Sequence, residues 1–327
     1  MNLERDRLYP DTGDNSFPHQ AFSRHKKHLA EAILLGTTLI WGSTFVAQKI
    51  GLQNISPLLF IAFRFLSSSL ILTILFFSRI KTIGADTLQK GFVLGILLCL
   101  GFALQTIGLN YTTASKSGFI TGTMVIFTPL LQIAIRKQLP SVGNFLGIIL
   151  VTLGLFLLTS PTGSTFNLGD GLTLVCAISF AVYIVYLDGA SKKGDILQLT
   201  YVQLLTTGVL SGLLAVFFEE IRFEPTDNLF LVIGYLTLFA TLLTTYLQTR
   251  YQRDTTPTRA VVIFSIEPVI SALLAFMILG EILGTLGVLG GAVIVVGLLI
   301  SELSDSIPLL SRSFNQIKES DEESYLP

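Results

Sequence analysis

Ten stretches of this chain stay apolar for about 20 residues, the length an α-helix needs to cross the roughly 30 Å hydrocarbon core of a bilayer. They run approximately Leu29 to Ile50, Pro57 to Phe77, Leu88 to Leu109, Gly118 to Ile135, Val142 to Leu158, Leu168 to Leu187, Ile196 to Phe218, Leu229 to Tyr251, Thr258 to Leu279 and Ile282 to Ile300. Backbone polar groups find no water in hydrocarbon, so continuous apolar runs of this length must be helical. Only 13% of the 327 residues are charged, against about 25% in soluble domains, so the chain has no polar skin for water. The expected class is an all-α integral membrane protein with ten transmembrane helices.

The same counts exclude several functions. A formal net charge of −1 without a basic stripe argues against nucleic acid. Cys99 and Cys176 lie in apolar runs without CxxC or Cys/His spacing and read as packing residues. His19, His25 and His28 all fall in the polar leader. No metal, cofactor or disulfide framework is expected. A membrane-embedded enzyme would need a nucleophile with its base or a ligand cluster inside the spans, and none is visible, so an enzyme is not expected.

The connectors between runs are short and rich in turn formers, leaving only the ends polar. Residues 1–28 and 304–327 read by composition as a disordered leader and tail on the cytoplasmic side. Basic residues set the orientation. Arg24, Lys26, Lys27, Arg79, Lys81, Lys90, Arg136, Lys137, Lys192, Lys193, Arg250, Arg253, Arg259, Arg312 and Lys318 fall on one side, and only Lys49, Lys116 and Arg222 on the other. Both termini are therefore expected in the cytoplasm, which requires an even number of spans.

The chain also repeats itself. ALQT at Ala103 to Thr106 aligns with YLQT at Tyr246 to Thr249, and LGIILVTLGL from Leu146 with LGGAVIVVGL from Leu289, both at a numbering offset of 143. The prolines Pro129 and Pro268 are offset by 139, so pairing them requires two compensating four-residue shifts. The expected units are 29–159 and 160–303, five spans each. Because five is odd, the second unit enters from the opposite face, an inverted repeat of the kind that secondary transporters use for alternating access around a midplane site.

LIWGSTFVAQKIG (Leu39 to Gly51), the FRF of Phe63 to Phe65, GLNYTTASKSGFITG (Gly108 to Gly122), NLGDGLTLVCAISFAVYIVYLD (Asn167 to Asp188) and IEPVISALLAFMILGE (Ile266 to Glu281) resemble EamA-type permeases of the drug/metabolite transporter superfamily. The resemblance covers about Leu29 to Ser301. It implies a ten-helix carrier in a bacterial inner membrane, commonly exporting amino acids or other small metabolites, with lipid and a small-molecule substrate as partners. A drug-efflux carrier is the alternative and a passive channel a further one. A monomer and a homodimer stay equally open.

Several polar residues interrupt the spans. Glu267 lies near midplane, where an ionisable group is by default a functional-site hypothesis; it is either a coupling or substrate-ammonium group, or a carboxyl bonded to backbone freed by Pro268. Pro129 is the matching proline of the first unit. Arg64 either binds a substrate carboxylate, or snorkels to the outer interface or caps carbonyls, the latter pair being the commoner behaviour of a long cation. Trp41, Thr44 and Gln48 share a helical face, which suits a cavity wall or a helix interface. Gln105 and Gln248 occupy matching places in the two units and suit a cavity or gate, although interhelical hydrogen bonding is the commoner use of such amides. Tyr183 and Tyr186 share a face and could line a cavity together. The glycines Gly287, Gly290, Gly291 and Gly297 form a stripe for close helix packing.

Overall fold

The computed structural model describes residues 17–137, 139–158, 166–282 and 284–303. Eight of its helical segments are long and apolar enough to cross a membrane. Four belong to the first half: Lys26–Gly51 within α1 (Phe17–Gly51), α2 (Pro57–Ile80), α3 (Ala85–Leu109), and the broken segment Ala114–Ile135 formed by α4 (Ala114–Gly122) and α5 (Met124–Arg136). The other four are α7 (Leu168–Ser191), α8 (Ile196–Phe218), Asp227–Asp254 and Pro257–Leu279. Asp227–Asp254 joins α9 (Asp227–Tyr235) to α10 (Thr244–Tyr251) through π-helical turns at Leu236–Leu243, and Pro257–Leu279 contains α11 (Pro257–Phe264), α12 (Glu267–Leu274) and a π-helical turn at Ala275–Leu279. Two further apolar helices, α6 (Val142–Leu158) and α13 (Thr285–Leu303), are shorter.

Side chains such as Ile74, Phe217 and Leu231 point outward and are more than two-thirds exposed, as hydrocarbon contact demands. The expected leader is corrected in part: α1 starts at Phe17, so residues 17–28 are helical. Residues 1–16, the tail 304–327 and 159–165 of the loop before α7 lie outside the described residues.

Local chemistry starts and stops these helices. Thr113 and Thr256 cap α4 and α11, their hydroxyls accepting from the N–H of Lys116 and Arg259, which satisfies donors a helix start leaves orphaned. Asn167 and Asp170 form a reciprocal capping box on α7. Both broken segments change direction beside a hydroxyl that turns back on the helix: Thr123 donates to the Ile120 carbonyl at 2.5 Å and Ser265 to that of Val261 at 2.8 Å.

Element bounds repeat at the sequence offset. α4 and α11 begin at residues 114 and 257, α5 and α12 at 124 and 267, and α6 and α13 at 142 and 285. The offset of 143 thus runs through both breaks without any shift, which corrects the expected pairing of prolines. Pro129 lies inside α5, whereas Pro268 takes the second position of α12, where no N–H is needed.

Packing follows the same exchange. α1 packs on α12 and α7 on α5, while α6 packs on α13 and α2 on α8. Glycines allow the α6–α13 contact: a Cβ on Gly154 would lie 2.7 Å from the Gly290 carbonyl, and one on Gly147 3.0 Å from that of Gly297. Without a hydrophobic drive between helices in lipid, such close backbone approach supplies the attraction. The two broken segments run antiparallel. Glu281, just past Leu279, accepts from the backbone N–H groups of Ala114 and Ser115 at 3.1 and 3.2 Å, and Thr258 at the start of α11 donates to Gln132 near the end of α5.

Candidate functional site

Where the breaks meet, they leave a cavity enclosing about 610 Å³ of space between and around its walls. Its wall comprises Trp41, Thr44, Arg64, Leu98, Phe102, Gln105, Thr121, Met124, Phe180, Tyr183, Ile184, Thr245, Gln248, Phe264 and Glu267. Ten of these form five pairs at the repeat offset: Trp41 with Ile184, Phe102 with Thr245, Gln105 with Gln248, Thr121 with Phe264, and Met124 with Glu267. The cavity therefore straddles the relation between the two halves.

Little of that space stands clear of the walls, and the cavity is narrow in this structure. The walls must part before a larger solute enters.

Arg64 is fully buried and does not reach an interface, which overturns the snorkelling reading. Its Nε and Nη2 donate to Thr241 Oγ1 at 3.3 and 3.1 Å, and its Nη1 is buried without a hydrogen-bond partner. Rings of Phe60, Phe65 and Phe102 surround the guanidinium, with centroids 5.9, 5.8 and 5.4 Å away. Thr241 lies in the π-helical turns, and the Thr237 carbonyl one turn earlier accepts from Ser68 at 3.0 Å, so the widened backbone is tied to α2 beside the arginine.

Glu267 opens α12, is 8% exposed and lines the cavity. No ion pair joins it to Arg64 within 4.0 Å, although both face the same space. Pro268 packs its ring against Gly122, where an added Cβ would come within 3.4 Å, and like Pro129 it is absent from the wall.

Of the other candidates, Trp41 and Thr44 reach the cavity, and Trp41 meets Phe264 edge-on at 5.3 Å. Gln48 does not: it is buried between Thr44 and Thr106, accepting from Thr106 at 3.1 Å, and serves as an interhelical bond. Both matching glutamines line the wall and also bond, Gln105 to Thr121 at 3.1 Å and Gln248 to Gln252 at 2.9 Å. Tyr183 lines it while donating to Gln203 at 2.9 Å. Tyr186 instead faces a separate groove with Leu131, Ile135 and Lys90, because a step of three along a helix falls short of a full turn and the two rings diverge.

Sequence reasoning missed Thr121, Thr241, Thr245 and the aromatic wall of Phe102, Phe180 and Phe264. A signal for part of this was present: Thr241, Thr245 and Gln248 follow four- and three-residue spacing, one face of one helix.

The model of the EamA-like transporter family matches residues 28–160 and again 167–303. The chain belongs to the EamA-like transporter family. Its relatives include an uncharacterized transporter of Archaeoglobus fulgidus, 34% identical over 278 residues, covering 85% of this chain and 87% of the relative. The uncharacterized inner membrane transporter YedA of Escherichia coli is 28% identical over 284 residues, covering 81% and 89%. A solved crystal structure shares the fold with a TM-score of 0.70 at 18% identity, covering 85% of this chain and 97% of that one. This EamA-like chain is thus an integral membrane protein of a transporter family, and its cavity stands where the two matched repeats meet.

Proposed function

We propose that the protein is a secondary carrier that exports small zwitterionic metabolites, amino acids foremost, by alternating access. Ten helical crossings arranged as two inverted five-helix units would present the cavity first to one face and then to the other, with both termini in the cytoplasm. The observation that carries the reading is a cation and a carboxyl group on one cavity wall: Arg64, buried and with an Nη1 that makes no hydrogen bond, and Glu267, without an ion pair between them. A buried charge without a partner is costly, and a ligand bearing a carboxylate and an ammonium would satisfy both. The amides of Gln105 and Gln248 and the hydroxyls of Thr121 and Thr245 supply the remaining polar contacts. Glu267 would exchange a proton as the cavity moves between faces, coupling transport to the proton gradient.

Trp41, Phe102, Phe180 and Phe264 give the second reading its observation, since an aromatic wall also suits apolar drugs. A screen of metabolites and amphiphiles in proteoliposomes, with and without a pH gradient, separates the two. Saturable, gradient-stimulated counterflow of amino acids is expected. Transport confined to apolar amphiphiles would overturn the proposal.

A further inference from the structure

At the far ends of the broken segments, away from the cavity wall, the two halves place a cation and a threonine at matching positions. Lys116 is the third residue of α4, and Arg259, its counterpart at the repeat offset, is the third of α11. Each pairs with an acid near the start of the membrane span that opens the other half. Lys116 Nζ lies 2.6 Å from Asp170 Oδ2 on α7, and Arg259 Nε lies 2.6 Å from Glu31 Oε1 on α1. Each acid also accepts a hydroxyl from the connector before its cation. Thr112 donates to Asp170 at 2.9 Å and Thr255 to Glu31 at 3.0 Å, and these threonines are again counterparts at the same offset. Both acids are buried, at 0% and 3% exposure. Because the broken segments run antiparallel, the two clusters lie at opposite ends of the cavity.

We propose that Thr112, Lys116 and Asp170 form one latch and Thr255, Arg259 and Glu31 its equivalent at the other membrane face, each closing its end of the cavity. The proposal rests on the alternating-access reading. Each latch joins a broken segment of one half to the opening helix of the other, so the halves cannot part at that end until its ion pair breaks. Both are formed in this structure, which agrees with the narrowness of the cavity between them. They differ in exposure: Lys116 is 21% exposed and Arg259 2%, so water reaches the first pair and is kept from the second.

The test uses the full chain in membrane vesicles of both orientations, with Cys99 and Cys176 replaced by alanine and a reporter cysteine at Thr245 on the cavity wall. The rate of labelling by a membrane-impermeant thiol reagent is read from each face. Lys116→Gln should raise the rate at least fivefold from one face only, and Arg259→Gln from the opposite face only. Neutralising the cations leaves Asp170 in the capping box of α7. Thr112→Val and Thr255→Val loosen each latch without stranding a charge and should shift labelling the same way by a smaller factor; they carry the test if a glutamine variant is not monodisperse. Unchanged rates, or acceleration from the same face by both variants, would overturn the latches. Opposite faces exchanged relative to cytoplasmic termini would overturn the orientation and support the latches. The readout needs no substrate, so a failed transport screen is not mistaken for a failed latch.

Discussion

The break between α4 and α5 and the break between α11 and α12 share one plan and carry different chemistry. Each follows a threonine-capped half-helix, turns beside a back-bonded hydroxyl and sends the first residue of the next half-helix to the cavity. In the first half that residue is Met124, and in the second it is Glu267. Arg64 reverses the imbalance: it comes from α2, and its counterpart at the repeat offset, Thr207, shares its hydroxyl between the carbonyls of Gln203 on its own helix and Gly95 on α3. The helix carrying Gln248 widens into π turns that bring Thr241 to Arg64, whereas α3, its counterpart, runs as regular helix. Geometry is duplicated between the halves, and the ionisable groups are divided between them. Rocking needs both halves to share a frame, and binding a zwitterion needs one charge of each sign.

If charge is divided in this way, Arg64 carries the largest single effect. Arg64→Leu should lower transport at least roughly a hundredfold, since a hydrogen bond to a charged group contributes about 1.5–3 kcal/mol and the site would lose its cation as well. Arg64→Lys should recover only part, because a point charge does not reproduce the guanidinium fork. Initial rates at matched reconstitution check both, and unimpaired transport by the leucine variant would end the charge-division account.

The shared frame predicts an intermediate effect on stability. A valine at Gly154 would press its Cβ to 2.7 Å from the Gly290 carbonyl, and backbone cannot yield as a side chain does. Overpacking of this kind costs about 1–3 kcal/mol, read as a lower melting temperature in detergent. Gly36→Ala is the control, with nothing within 4 Å of the added Cβ, and should hold or slightly raise the melting temperature, since it sits in the interior of α1. The smallest effect is expected at Met124→Leu, a volume-conserving swap costing less than about 1.5 kcal/mol. Transport near the parent rate is the expected result, and a loss as severe as at Arg64 would show that the first break does more than shape the wall.

Much of this frame is legible in the sequence. Span length is a strong signal, because lipid forbids unpaired backbone and only long helices answer it. The offset of 143 is readable from two short alignments, but the prolines mislead: Pro129 and Pro268 look equivalent, and only the positions of the breaks show that Met124 is the counterpart of Glu267. The surroundings of Arg64 are not legible, because distance along a helix does not report which neighbours enclose a side chain. A cage of Phe60, Phe65 and Phe102 is a tertiary fact, drawn from two helices. Spacing alone sends Gln48 and Tyr186 to the cavity wrongly, since it fixes a helical face to within a turn but not what that face meets. The cations of the latches read only as loop charges, because the acids that hold them sit on spans of the opposite half.

If the second break carries the coupling group, Glu267→Gln should uncouple transport, because it keeps the shape of the side chain and removes its proton chemistry. Counterflow of the identified substrate is measured in proteoliposomes with and without an imposed pH gradient, for the parent and the variant at matched monodispersity. The gradient is expected to stimulate the parent and to leave the glutamine variant at its gradient-free rate. Full gradient-driven transport by the variant would contradict it and return Glu267 to packing.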